Sequence, residues 1–165
     1  MGFHADQVVF TPAASEKEPG MSEFTLRAAV ESDQGQIRAL IHRVGINPLG
    51  LDWRRFSVAE MGDGTFIGCG QLKPHEDGSL ELASLAVEEK YRGLGVARAL
   101  MERLMADGTR PLYLMCRPEL QELYEKFGFR VIEMTAMPPY FRRITRMVRV
   151  LLFGRHAGPL VMRVE

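Results

Sequence analysis

Cysteine is scarce in this chain: Cys69 and Cys116 are the two in 165 residues. That is too few for a disulfide framework and, beside four scattered histidines, too few for a zinc cluster of recognisable spacing. No metal is expected, and both thiols are expected to be buried. An excess of either charge is also lacking. Twenty-one basic side chains are matched by 21 acidic ones, so the electrostatic footprint of a nucleic-acid binder is missing. No apolar run reaches the roughly 18 residues a membrane-spanning helix needs. The first residues lack the basic patch and apolar stretch of a secretory signal. Met1-Gly2 is followed by Asp6 where a myristoylation motif wants Ser or Thr. The expectation is a cytoplasmic protein with no nucleic-acid partner and no transmembrane segment.

What is present is ordinary globular material, 46% hydrophobic and 25% charged with 16 Gly and 9 Pro, enough for one domain with a real core. Residues 1–23 mix Pro12, Ser15, Pro19 and Gly20 with the charged run Glu16-Lys17-Glu18 and read as a flexible leader. The domain is expected over 24–165. Phe24 to Ala28 alternate like a strand, and Ser32-Asp33 precede Ile37, Leu40, Ile41 and Val44 at helical spacing. Turn clusters at Gly62-Asp63-Gly64 and His75 to Gly78 divide strands predicted near 56–61, 65–73 and 80–87 into an antiparallel meander.

The connectivity then changes. A helix carrying Val96, Leu100 and Leu104 leads to the apolar run Leu112 to Met115, a strand-helix-strand unit whose parallel strands need a right-handed crossover. Pro118 opens another helix with Leu120, Leu123, Tyr124 and Phe127 on one face, closed by Gly128. A strand from Phe129 to Met134 is predicted next. After Pro138-Pro139, an amphipathic helix sets Phe141, Ile144, Met147, Val148, Leu151 and Leu152 against four arginines. Gly154 to Gly158 break it before a last strand over 160–164. Residues 137–165 carry six Arg against Glu165 alone, a pattern explained by a helix that packs its apolar side on the sheet and exposes its arginines. A membrane-surface or scaffold role for this helix is the weaker reading.

The segment from Leu82 to Ala97 is the most informative. A strand ends, Lys90-Tyr91-Arg92-Gly93-Leu94-Gly95 follows, and a helix begins at Val96. Helix N-termini present unpaired N–H groups and a positive dipole end, glycines let the backbone approach a diphosphate, and Lys90 and Arg92 can neutralise its charge. About thirty residues on stands Leu123-Tyr124-Glu125-Lys126-Phe127-Gly128-Phe129. These two motifs, in this order, resemble the signature of the GNAT superfamily of acetyl-CoA-dependent N-acetyltransferases, and the resemblance runs from Phe24 to Met134.

The resemblance implies an α/β (α+β) domain: a mixed, mostly antiparallel sheet of six to seven strands with a splayed parallel pair, flanked by helices. It implies that amides around Arg92, Gly93, Leu94, Gly95, Val96 and Ala97, with Lys90, hold the coenzyme A diphosphate, and that Leu85, Ala86 and Val87 pair with the pantetheine arm. Tyr124 matches the family tyrosine that protonates the departing thiolate. Glu81 matches a glutamate that deprotonates the amine, and strand alternation sets it on the face of Leu85 and Val87. Lys90 replaces the usual Gln or Arg, and Arg117 replaces an asparagine that helps to hold the pantetheine arm. Cys116 lies near the expected thioester but has no base partner in the sequence, so a covalent relay through it is not expected.

Acceptor choice is expected to come from the Asn47 to Arg55 loop, with Asp52, Trp53, Arg54 and Arg55 as pocket candidates, from Gln71 and Lys73, and from the residues after Met134. The expected function is direct acetyl transfer from acetyl-CoA to a primary amine of a small molecule, an amino acid or polyamine-like. Protein N-termini or lysines are the alternative acceptors, and a catalytically inactive coenzyme A-binding module is the alternative function. Self-association as a homodimer stays open.

Overall fold

The structure, a computed structural model, describes residues 24–151 and 158–165. The predicted leader and residues 154–157 of the predicted break lie outside the described residues. Strands β2 (Phe56–Met61), β3 (Phe66–Pro74) and β4 (Leu80–Val87) form the predicted antiparallel meander, and β1 (Phe24–Ala28) pairs antiparallel with β2 at its edge. Helix α1 (Gln34–Val44) connects β1 to β2. Helix α2 (Val96–Asp107) crosses from β4 to β5 (Leu112–Cys116), which pairs with β4 in parallel. Then come helix α3 (Gln121–Glu125), β6 (Arg130–Val131), helix α4 (Pro139–Leu151) and β7 (Leu160–Val164). The seven strands lie in the order β1-β2-β3-β4-β5-β7-β6, a mixed, mostly antiparallel sheet.

The sheet buries one cluster against α2, including Leu82, Leu85, Leu100, Leu104 and Phe129, and another against α1, including Ile37, Ile41, Phe56, Val58 and Cys69. α2 lies close on β3 because Gly68 and Gly70 face it. A Cβ at Gly68 would stand 2.9 Å from the Ala86 carbonyl, and one at Gly70 2.8 Å from Leu104 Cδ1. Under the β5 end, Tyr113, Met137, Phe141 and Val161 form a third cluster that anchors the first half of α4.

Three predicted elements are corrected. The strand expected over 129–134 shrinks to Arg130–Val131, an edge strand pairing with β7 alone, before a turn at Met134–Ala136. The helix expected to run from Pro118 to Phe127 is a single tight turn at Pro118–Leu120 followed by α3. α3 ends early because the Phe129 amide reaches back to the Tyr124 carbonyl across Gly128, whose φ is +88°. α4 packs only in part: Phe141 and Thr145 are buried, whereas Met147, Val150 and Leu151 are exposed. Its arginines also divide, for Arg142 is half-buried and donates to the Met137 carbonyl at 2.9 Å.

Candidate active site

β4 is irregular, and the site grows from that irregularity. Lys73 faces Glu81 and Gln71 faces Ala83 across the β3–β4 ladder, but Cys69 then faces Ala86, so one extra residue is accommodated on β4. Ser84 takes it up with φ +55°, a left-handed conformation rarely adopted by a residue with a side chain. Ser84 Oγ accepts from Gln71 Nε2 at 2.9 Å, both residues being buried. The bulge also reverses facing along the strand. Leu82, Leu85 and Val87 belong to the cluster under α2, while Glu81 pairs across from Lys73 on the opposite face. The expectation that Glu81 shares a face with Leu85 and Val87 is therefore corrected: simple alternation does not survive an inserted residue.

The parallel pair opens at the same place. β4 and β5 register only through Leu80–Leu112 and Glu81–Tyr113, so beyond Glu81 the β5-side edge of β4 has no strand partner among the described residues. Its backbone groups, through Leu85, Ala86 and Val87, are left to pair with an extended ligand.

At the far end of that edge the chain turns through Lys90 to Gly95 into α2. Gly93 and Gly95 have φ of +84° and +80°, and no atom stands within 4 Å of a Cβ added at either. It is therefore the turn's conformation that calls for glycine. No side chain caps α2 at Gly95, so the first-turn amides of Val96 and Ala97 present the positive end of a twelve-residue helix to solvent. Arg92 and Leu94 are half-buried beside them, and Lys90 sits over the Tyr91 ring. The arrangement suits a diphosphate.

On the α4 side of the opening lies a cavity of about 310 Å³. Glu81, Ala83, Ser84 and Lys73 form its sheet side, Asn47 and Leu49 reach in from the loop after α1, and Tyr140, Ile144, Met147 and Val148 of α4 close it. Met115 and Cys116 complete it at the β5 end. Glu81 is 6% exposed. Its Oε2 lies 2.8 Å from Nε2 of His75, whose ring stacks on Tyr140 at 3.5 Å between centroids and meets Phe141 edge-on. Lys73 Nζ donates to the Leu49 carbonyl at 3.2 Å, fixing the loop over the cavity.

The remaining candidates divide. Asp52 and Arg55 line a separate groove beside Arg38 and His42, and Asp52 caps its own turn while pairing with Arg54 at 3.2 Å. Trp53 packs against the α1-side cluster. Asn47 and Leu49, rather than residues 52–55, are the loop's contribution to the cavity that holds Glu81. Gln71 is fully buried behind Ser84 and supports the bulge, with its Oε1 left without a partner. Tyr124 is buried in the α2-side cluster, edge-on to Phe129 at 6.3 Å. It does not line the cavity, but it belongs to the same cluster as Cys116, which does. Arg117 follows β5 at the mouth of the opening, with its Nε buried and unpartnered. Both thiols are buried, as expected; burial and the nearby Glu88 charge push the Cys69 thiol far up, which keeps it inert. Among the described residues no cluster of His, Cys, Asp or Glu could hold a metal.

Sequence reasoning missed His75 and Tyr140. His75 reads as a turn residue, and only the hairpin register, which carries Glu81 back beside β3, makes it a neighbour of a carboxylate. Tyr140 is visible only as the start of a basic helix.

Residues 52–131 match the family model of the acetyltransferase (GNAT) domain. Among solved structures, N-acetylglutamate synthase from Neisseria gonorrhoeae, complexed with coenzyme A and N-acetyl-glutamate, is similar with a TM-score of 0.68 and 23% identity over 88% of this chain and 36% of that one. Rv2747 from Mycobacterium tuberculosis, in complex with CoA, gives a TM-score of 0.65 and 22% identity over 85% of this chain and 98% of that one. Naa50 from Arabidopsis thaliana, in complex with a bisubstrate analogue, gives 0.57 and 15% over 86% and 98%. At such identities the likeness establishes the fold. The chain spans about a third of the Neisseria synthase. No curated protein matches the sequence.

Proposed function

We propose that this chain, whose residues 52–131 match the acetyltransferase (GNAT) domain, transfers acetyl from acetyl-CoA to the primary amine of a small molecule, an amino acid or polyamine-like, in a ternary complex. One observation carries the choice of acceptor size: the cavity beside the β4–β5 opening is roofed by Asn47 and Leu49 and walled by α4. At about 310 Å³ it suits a metabolite, where a polypeptide acceptor would need an open groove.

In this reading the diphosphate rests on the amides from Arg92 to Ala97, with Lys90 and Arg92 balancing its charge, and the pantetheine arm extends the sheet along Leu85, Ala86 and Val87. Arg117, opposite that edge at the end of β5, replaces the family asparagine as a donor to the arm. The thioester carbonyl then reaches the mouth of the cavity, polarised by a backbone amide of the bulged strand. Glu81 takes the proton from the bound ammonium, freeing a lone pair for attack on the carbonyl carbon. The C–N bond forms, the tetrahedral intermediate collapses as its nitrogen gives up its second proton to solvent, the C–S bond breaks, and Tyr124 supplies the proton that leaves coenzyme A as a thiol and is itself reprotonated from solvent. Cys116 takes no covalent part, consistent with its burial.

The test incubates the purified chain with acetyl-CoA and separate pools of amino acids, polyamines, aminoglycosides and peptides, and measures free coenzyme A with a thiol reagent. Release with one small-molecule pool is expected. Tyr124→Phe keeps the packing and is expected to lower kcat by roughly 10- to 100-fold with coenzyme A binding retained. Release with peptides alone would replace the small-molecule reading, and tight binding without release in any pool would leave the inactive module.

A further inference from the structure

Glu81 and Lys73 are directly opposite partners on β4 and β3, and both line the cavity. Such pairs have Cβ atoms about 5 Å apart, close enough for two long side chains of opposite charge to meet. Here they do not pair with each other: Glu81 bonds His75 and Lys73 bonds the Leu49 carbonyl. Among the described residues Lys73 makes no ion pair. The cavity therefore presents an anion and a cation side by side, each held in place by a third group. The other lining groups carry no charge, and Met115, Ile144, Met147, Val148 and Pro159 are apolar.

We propose that the acceptor is a free α-amino acid with an apolar side chain, bound with its α-ammonium on Glu81, its α-carboxylate on Lys73 and its side chain against α4. The inference rests on the acetyl-transfer reading of this cavity and narrows it. A zwitterion matches an adjacent carboxylate and ammonium at both charges, whereas a simple amine leaves the Lys73 cation without a charged partner and forgoes a charge-assisted contact. A polyamine would need a second anion, and the lining has one. An acidic side chain would need a second cation, and Lys73 is the lone one there. A peptide N-terminus has no carboxylate beside its amine. Lys73 is thus a specificity-determining residue, and Glu81 serves both recognition and proton removal.

The experiment compares leucine, leucinamide, 3-methylbutylamine, glutamate and a leucine-initiated peptide. Turnover is read by coenzyme A release, and binding to the coenzyme A-saturated protein by calorimetry. A charge-assisted contact predicts that leucine exceeds leucinamide and 3-methylbutylamine by about 10- to 100-fold in kcat/KM and in affinity, with glutamate and the peptide poor. Lys73→Met should bring the leucine-to-leucinamide ratio to within about threefold, and Lys73→Arg should restore it in part; circular dichroism confirms that both variants fold. Equal use of leucine and leucinamide, or preference for glutamate or the peptide, would overturn the proposal while leaving acetyl transfer intact. Absence of turnover with every amine would overturn the acetyl-transfer reading, and the calorimetric ratio would then still decide whether the cavity selects an apolar amino acid.

Discussion

Glu81 and His75 meet at 2.8 Å between Oε2 and Nε2, with their side chains 8% and 4% exposed. The contact is a product of the β3–β4 hairpin, which brings the residue after β3 back over the start of β4. Stacking on Tyr140 fixes the imidazole plane, and the plane fixes the carboxylate. Asp77 completes the frame: Oδ1 accepts from the Ser79 hydroxyl at 2.6 Å and Oδ2 from the Tyr140 amide at 2.7 Å, tying the hairpin turn to the start of α4. Burial raises the Asp77 carboxyl, yet the Ser79 and Tyr140 bonds outweigh it and hold the group below its ordinary range.

If His75 positions Glu81, the position needs a donor where Nε2 stands. His75→Gln can supply one and His75→Ala cannot. The expected result is a kcat loss of about 100-fold for Glu81→Gln, about tenfold for His75→Ala, and a smaller loss for His75→Gln. Coenzyme A binding should hold in all three. Equal losses for the two His75 variants would show that the ring acts through bulk and stacking alone.

The turn before α2 makes a different demand. Gly95 has φ +80° with open space where a Cβ would stand, so substitution is opposed by backbone strain and not by crowding. Left-handed backbone costs an ordinary residue about 1–2 kcal/mol and asparagine less. Gly95→Val should therefore weaken coenzyme A binding more than Gly95→Asn, by roughly tenfold or more, as titration calorimetry would read. Indistinguishable affinities would mean that the turn does not hold the diphosphate.

The bulge can be tested by stability. Ser84→Ala removes the acceptor for Gln71 Nε2 inside a buried site where Oε1 already lacks a partner, and stranding a second polar atom costs about 1–3 kcal/mol. A fall in Tm of several degrees is expected. In a double-mutant cycle, adding Gln71→Met should recover part of the loss, because the stranded amide leaves with its partner. Full additivity would rule out the Gln71–Ser84 bond as a support of the bulge.

Much of this architecture was legible in residue pattern. Leu112 to Met115 and the Val96, Leu100, Leu104 spacing disclose the strand-helix-strand unit, and Gly93 and Gly95 mark the turn because positive φ selects for glycine. Ser84 left no such mark, since a serine in a left-handed bulge looks like any strand residue, and with it went the facing of Glu81. The pairing of His75 with Glu81 depends on hairpin register, and the α4 wall of the cavity on how a late helix folds back. Neither is encoded locally. Residues 52–55 stand apart from the cavity that holds Glu81: Asp52 and Arg55 line a separate groove, and Asp52 and Arg54 satisfy one another in their own turn.

Outside the site, Asp33 ties the start of α1 to β1. Its carboxylate takes two bonds from Arg27, at 2.7 and 3.0 Å, and one from the Val30 amide at 2.7 Å, while Arg27 also reaches Glu60. The Arg27 bonds, helped by the Val30 amide, hold the Asp33 carboxyl below the ordinary carboxylate range against the opposing effect of burial. A carboxyl lowered on folding binds its proton more readily in the unfolded chain. Its stabilisation is complete above the unfolded value, near 3.9 or so, and is lost as pH falls through the lower folded value. Asp33→Asn should cost about 1–3 kcal/mol at neutral pH, since Arg27 keeps its charge and loses a charged partner. The variant should also lose less stability than the wild type between about pH 4 and pH 2. Urea unfolding across that range measures both; parallel pH profiles would show that the pair contributes nothing through charge, and that α1 is held at this corner by packing alone.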